Sequence, residues 1–117
     1  MKAVVLGGKS GLLGQALCAI LGDRKWDVLA LGRSDLDLLD RPAVEAFLAD
    51  CRADVLFNTV AYTKVDQAED EPAEANCLNR QLPLILGKDA ANTGVYLVHY
   101  STDFVFSGKK TTPYTIE

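Results

Sequence analysis

The chain has 117 residues, 49% of them hydrophobic and 24% charged, with a formal net charge of −4. These figures fit one modest globular domain of ordinary composition. An acidic chain without a basic patch argues against nucleic acid as a partner, and no apolar run approaches the ~20 residues that cross a bilayer as a helix.

In chain order, "KAVVLG" (2–7) reads as a short buried strand and "LLGQALCAIL" (12–21) as a helix with a broad apolar face. "GDRK" breaks that helix, and "WDVLAL" (26–31) is a second strand. "DLDLLD" (35–40) can hold a short third strand. "RPAVEAFLADC" (41–51) is a helix with Pro42 in its first turn and Ala43, Phe47 and Leu48 on one face. "DVLFNTVA" (54–61) is apolar throughout, as a strand covered on both faces requires. After "AYTKVDQAEDEP" a helix runs over roughly 72–92, with Leu78, Leu82, Ile85 and Leu86 as its apolar face. Pro83 should kink it, and Asn92-Thr93-Gly94 should stop it. "VYLVHYS" (95–101) is the fifth strand.

This alternation predicts an α/β fold: a Rossmann-like doubly wound parallel sheet of order 3-2-1-4-5, stopping after strand five. Cys18, Cys51 and Cys77 each fall in a predicted helix and are expected to be free thiols in a reducing, cytoplasmic setting. The start of the chain has no signal-peptide layout. A single histidine and no Cys-x-x-Cys argue against a metal site.

"GGKSGLLG" (7–14) admits two chemistries. A P-loop ending at Gly8-Lys9-Ser10 would need its first glycine at position 3, which is Ala3, inside the strand. The dinucleotide turn fits better. Gly8 lets the chain leave the strand tightly, Gly11 admits a pyrophosphate, and Gly14 lets the helix pack closely. The helix N-terminus then offers free N–H groups to phosphate, and Lys9 and Ser10 become loop residues near the ligand. The second strand ends "LALGRS", with Gly32 where an acid would hold a ribose hydroxyl. Arg33 and Ser34 suit a 2′-phosphate, so NADP(H) is favoured over NAD(H). A solvated Arg in a turn is the plainer reading.

Gly-x-x-Gly-x-x-Gly after the first strand resembles the extended branch of the short-chain dehydrogenase/reductase superfamily. With "GRSDLDLLDRPAV", "DVLFNTVAYTKVDQAEDEP", Asn79 within "CLNRQLPLILGKDAA", and "LVHYSTDFVFSG", the whole chain closely resembles the dTDP-4-dehydrorhamnose reductase family. The resemblance implies NADPH- or NADH-dependent reduction of the C4 ketone of dTDP-4-dehydro-rhamnose, in dTDP-rhamnose biosynthesis. It implies that Gly8, Lys9, Ser10, Gly11, Leu12 and Leu13 cradle the pyrophosphate and that Arg33 and Ser34 face the adenosine ribose. Asp37 and Leu38 lie beside the adenine, and Thr59, Val60, Ala61 and Tyr62 line the nicotinamide side. Asn79 joins this cofactor-binding set. Thr63, Val65 and Asp66 lie near the sugar-nucleotide entrance. Thr102 is the hydroxyl member of the catalytic triad, and Asp103 and Phe104 flank the substrate. On the residues alone, "STD" could simply cap a loop and Asp66 the next helix.

The chain departs from the family pattern in places. Thr59 and Val60 stand where alanines are frequent, Phe104 where a tyrosine is, and Gly32 where an aspartate is. The family's Tyr-x-x-x-Lys pair is missing: Tyr62, Tyr96 and Tyr100 are followed four positions later by Asp66, Tyr100 and Phe104. The expectation is therefore one NAD(P)-binding domain over 1–117 without the C-terminal substrate domain, inactive alone, and prone to self-association through uncovered apolar surface. The alternative is a non-catalytic NADP-binding module similar to the regulatory subunit of methionine adenosyltransferase. A third reading, an extended-branch epimerase or dehydratase, fits less well, because those usually carry Asp at the position of Gly32 and lack "AYTKVDQAEDEP".

Overall fold

The computed structural model describes residues 1–115. The chain forms β1 (Lys2–Leu6), α1 (Leu12–Asp23), β2 (Asp27–Leu31), α2 (Arg41–Cys51), β3 (Val55–Asn58), α3 (Val65–Asp70) and α4 (Pro72–Asn76). A π-helical turn (Cys77–Gln81), α5 (Leu82–Thr93), β4 (Tyr96–His99) and a 3-10 turn (Asp103–Val105) follow. Every strand pair is parallel, in the order β2-β1-β3-β4. This is the doubly wound α/β arrangement expected, less one strand.

The third predicted strand, 35–40, does not form. Its carboxylates instead take backbone N–H groups: Asp35 from Gly32, Asp37 from Leu39 and Asp40 from Ala43. Acidic side chains that satisfy nearby backbone donors compete with a ladder, so the acid–apolar alternation there is turn chemistry. Asp40 thereby caps α2, whose Pro42 sits in the first turn.

Side chains alternate between faces along each strand. In register, Leu29, Val4, Leu56 and Leu97 share one face, and Ala30, Val5, Phe57 and Val98 the other. The first face carries the main core, where Val4, Leu6 and Leu56 meet Val44 and Leu48 of α2 and Leu82 and Leu86 of α5. The second core is smaller: Ala3, Val5 and Leu21, flanked by Cys18, Trp26, Val28 and Phe57. The broad apolar face expected of α1 is used only narrowly, since Leu12, Leu13 and Ile20 are exposed. All three cysteines are free and half-buried, and burial pushes the Cys18 thiol up.

The helix expected over 72–92 is α4, the π turn and α5 in succession. Leu78, Leu82 and Leu86 are buried as expected, with Ile85 half-buried. Proline cannot donate to the carbonyl four residues back and crowds it. The wider π turn ends just before Leu82-Pro83, which is how the helix absorbs that break. Gly94, at φ 79°, ends α5 in the left-handed conformation. The segment before this helix, to which the sequence reading assigned no element, contains α3. It has no buried residue, so it left no apolar period to read.

Candidate cofactor site

In an open parallel sheet, ligands bind beyond the carboxyl ends of the strands where the strand order reverses. Here that point lies between β1 and β3, and the glycine turn fills it. Gly7 carries φ 83°, so it makes the left-handed step out of β1. Gly8, read from spacing as the tight-turn residue, is buried beside it. A Cβ on Gly8 would meet Ala30 and the Val5 carbonyl oxygen, each at 3.0 Å. A Cβ on Gly11 would sit 2.9 Å from the Gly7 carbonyl oxygen, and one on Gly14 would strike that same oxygen harder. The turn is therefore a cradle that side chains would fill. Gly11 also caps α1 without a side-chain acceptor, leaving the first-turn N–H groups open to an anion. Gly7 was missed because two adjacent glycines do not reveal by spacing which one turns.

Across the switch point, Thr59 donates its hydroxyl (2.7 Å) and its backbone N–H (3.2 Å) to the Leu6 carbonyl. Asn58 is fully buried, accepts from the Val60 N–H at 3.1 Å, and directs its amide nitrogen to His99 Nδ1 at 3.1 Å. The Val60 contact fixes the amide's orientation, so the imidazole nitrogen facing it must accept.

These parts enclose a cleft of about 500 Å³, within the range of small-molecule and cofactor sites. Of the residues expected to bind cofactor, Ser10, Gly11, Arg33, Asp37, Leu38, Thr59, Val60 and Ala61 line it. Gly7, Gly32 and Glu74 join them from outside that set. Gly8 lies in the turn itself, and Ser34, Leu12 and Leu13 are exposed beside it. Lys9 is exposed and pairs with Asp35 at 2.5 Å. That ammonium, then the Gly32 N–H, hold the Asp35 carboxyl below the usual carboxylate range.

Tyr62 and Asn79 do not line the cleft but position its wall. The Asn79 side chain accepts from the Tyr62 N–H at 2.8 Å and donates to the Tyr62 carbonyl at 3.0 Å. The Tyr62 hydroxyl donates to Glu71 at 2.5 Å, which pushes the phenol up to about 12. Glu71, which accepts from Tyr62 and then from Gln67, is lowered. Thr63, Val65 and Asp66 are exposed at the start of α3, and none lines the cleft. Thr102, Asp103 and Phe104 are exposed after β4, also outside its walls. The Thr102 hydroxyl caps the 3-10 turn, accepting from the Phe104 N–H at 3.2 Å.

Among the described residues no helix is long and apolar enough to cross a membrane, and no acidic, histidine and cysteine cluster could hold a metal ion.

A parallel α/β sheet with a glycine cradle at its switch point defines the Rossmann-like class. Within it, the chain belongs to the family described as RmlD substrate binding domain, which it matches over residues 1–117. It is 42% identical to a dTDP-4-dehydrorhamnose reductase of Streptomyces griseus over 107 residues, covering 92% of this chain and 35% of that protein. The crystal structure of a dTDP-4-dehydrorhamnose reductase from Clostridium acetobutylicum superposes with TM-score 0.86 at 31% identity. That match covers 97% of this chain and 40% of the other. The Bacillus anthracis enzyme of the same name, solved in complex with NADP, gives 0.81 at 29% identity over 93% of this chain and 39% of its own. The chain thus spans little more than a third of the proteins it matches.

Proposed function

We propose that this chain is the cofactor-binding domain of a reductase that converts dTDP-4-dehydrorhamnose to dTDP-L-rhamnose with NADPH in the cytoplasm. The observation that carries the reading is the cleft at the switch point, walled by the glycine cradle, Arg33 and the Thr59–Ala61 segment. The bound nicotinamide would supply a hydride to the sugar C4. The chain's own residues do the rest. The Gly7–Gly11 backbone and the α1 N-terminus hold the pyrophosphate, and Arg33 takes the 2′-phosphate. Thr59 and Asn79 fix the wall beside the nicotinamide. Thr102 hydrogen-bonds the substrate carbonyl, with Asp103, Phe104, Thr63, Val65 and Asp66 on the sugar-nucleotide side. Protonation of the new alkoxide needs a Tyr-x-x-x-Lys pair, so this domain alone binds cofactor without turning over the sugar.

Calorimetric titration with NADPH and with NADH tests this. NADPH should bind more tightly, and Arg33→Ala should cost NADPH about tenfold, a typical loss for one charge-assisted phosphate contact, while sparing NADH. A folded chain that binds neither would refute the cofactor-domain assignment.

A further inference from the structure

Asn58 and His99 stand opposite each other in register at the carboxyl ends of β3 and β4. The loops that leave these two strands carry different parts of the candidate site. Thr59, Val60 and Ala61 line the cleft directly after Asn58, and Thr102 follows close after His99. Asn58 is the one buried polar side chain among the described residues, and its amide is committed at both ends. The oxygen accepts from the Val60 N–H at 3.1 Å, and the nitrogen donates to His99 Nδ1 at 3.1 Å. A buried amide donor without an acceptor is costly. His99 Nδ1 therefore keeps the amide from turning over and setting its nitrogen against the Val60 N–H. Thr59 is secured separately, through its hydroxyl and N–H on the Leu6 carbonyl. Val60 has no such second tie: among the described residues its N–H is held by Asn58 alone. His99 itself is exposed and belongs to neither core, so replacing it empties no packed space.

We propose that His99 is a positioning residue for the cofactor cleft: by accepting from Asn58 it fixes the amide that fixes Val60, and with it the wall beside the nicotinamide. This rests on the cofactor reading above. The neutral ring must then carry its proton on Nε2, leaving Nδ1 as the acceptor. The same bridge links the Val60 wall to the strand that leads into Thr102, so the cofactor side and the substrate side of the site are joined through one pair of side chains.

Two measurements test this. The chain has a single histidine, so ring-nitrogen NMR reads His99 directly. The neutral ring should show Nδ1 unprotonated and Nε2 protonated, and the opposite tautomer would overturn the proposal. NADPH and NADH are then titrated into the wild-type chain, His99→Ala and His99→Asn, each shown folded by circular dichroism and by its unfolding midpoint. His99→Ala should weaken both cofactors alike by about three- to tenfold, the usual worth of one hydrogen bond. His99→Asn offers an amide oxygen where Nδ1 stood and should stay within about twofold of wild type. No loss in His99→Ala, or equal loss in both variants, would overturn the proposal and leave the cofactor reading standing. A folded wild-type chain that binds neither cofactor would refute that reading, and this inference with it, whichever tautomer the ring adopts.

Discussion

Tyr62 and Glu71 form the tightest polar contact behind the cleft wall, 2.5 Å from hydroxyl to carboxylate. The raised Tyr62 value means the pair's contribution is complete below the phenol's ordinary value of 10 and is lost as pH rises through about 12. Glu71 is depressed, so its share is present above its ordinary 4.5 and is lost as pH falls through the lowered value. A tyrosinate absorbance titration should therefore show one late step. Tyr62→Phe should remove it, and Glu71→Gln should bring it down towards the phenol's ordinary value of 10. Superimposable curves for wild type and Tyr62→Phe would rule the bond out. Little of this was legible in the sequence. Asn79 entered the candidate set through family resemblance, but its two-point hold on Tyr62 spans 17 positions, and no local pattern encodes such a pairing.

Within α1, two glycines should respond in opposite directions. Gly14 faces the Gly7 carbonyl, a backbone atom that cannot step aside. Gly14→Ala should cost about 1–3 kcal/mol in denaturant unfolding, the usual penalty of overpacking. Gly22 lies in the same helix with nothing within 4 Å of an added Cβ. Gly22→Ala should stabilise by about 0.5–1 kcal/mol, because alanine loses less backbone entropy. Equal effects of the two would mean that α1 does not approach the turn as described. Most elements were readable at this scale. α2 matches its predicted span 41–51, and β1, β2 and β4 lie within theirs. The errors share one cause. Periodicity reports burial, so a helix with no buried residue (α3) went unread and a turn that alternates acids with leucines (35–40) passed for a strand.

Over the whole molecule the two sheet faces are unequally covered. α2 and α5 close the face of Val4 and Leu56, whereas on the other face the smaller core gathers around α1. On that face Tyr96, in register with Val55, is 70% exposed, and Val98 is only half-buried. Among the described residues β4 pairs only with β3 and its other edge is unpaired, and Phe104, Val105 and Phe106 lie exposed just beyond it. An open edge beside exposed aromatics favours association. Sedimentation velocity should show concentration-dependent dimers or larger species, reduced by Tyr96→Lys. A monomer at every concentration, binding no apolar dye, would refute this.

What the amino-acid order determined by itself was local: the alternation of buried strands and helices, the glycine spacing at the first turn, and the motifs that carry family membership. The first two follow from period, propensity and short-range sterics, which act over a few residues, and the third is read by resemblance. The tertiary structure decided which glycine turns and that 35–40 serves as a cap rather than a strand. It also set Lys9 beside Gly32, and drew Asn79 onto Tyr62. The Asn79–Tyr62 pairing needs groups 17 positions apart to meet within about 3 Å, which becomes defined only once the fold brings them together. The 35–40 caps are bonds across two or three residues that apolar period does not report.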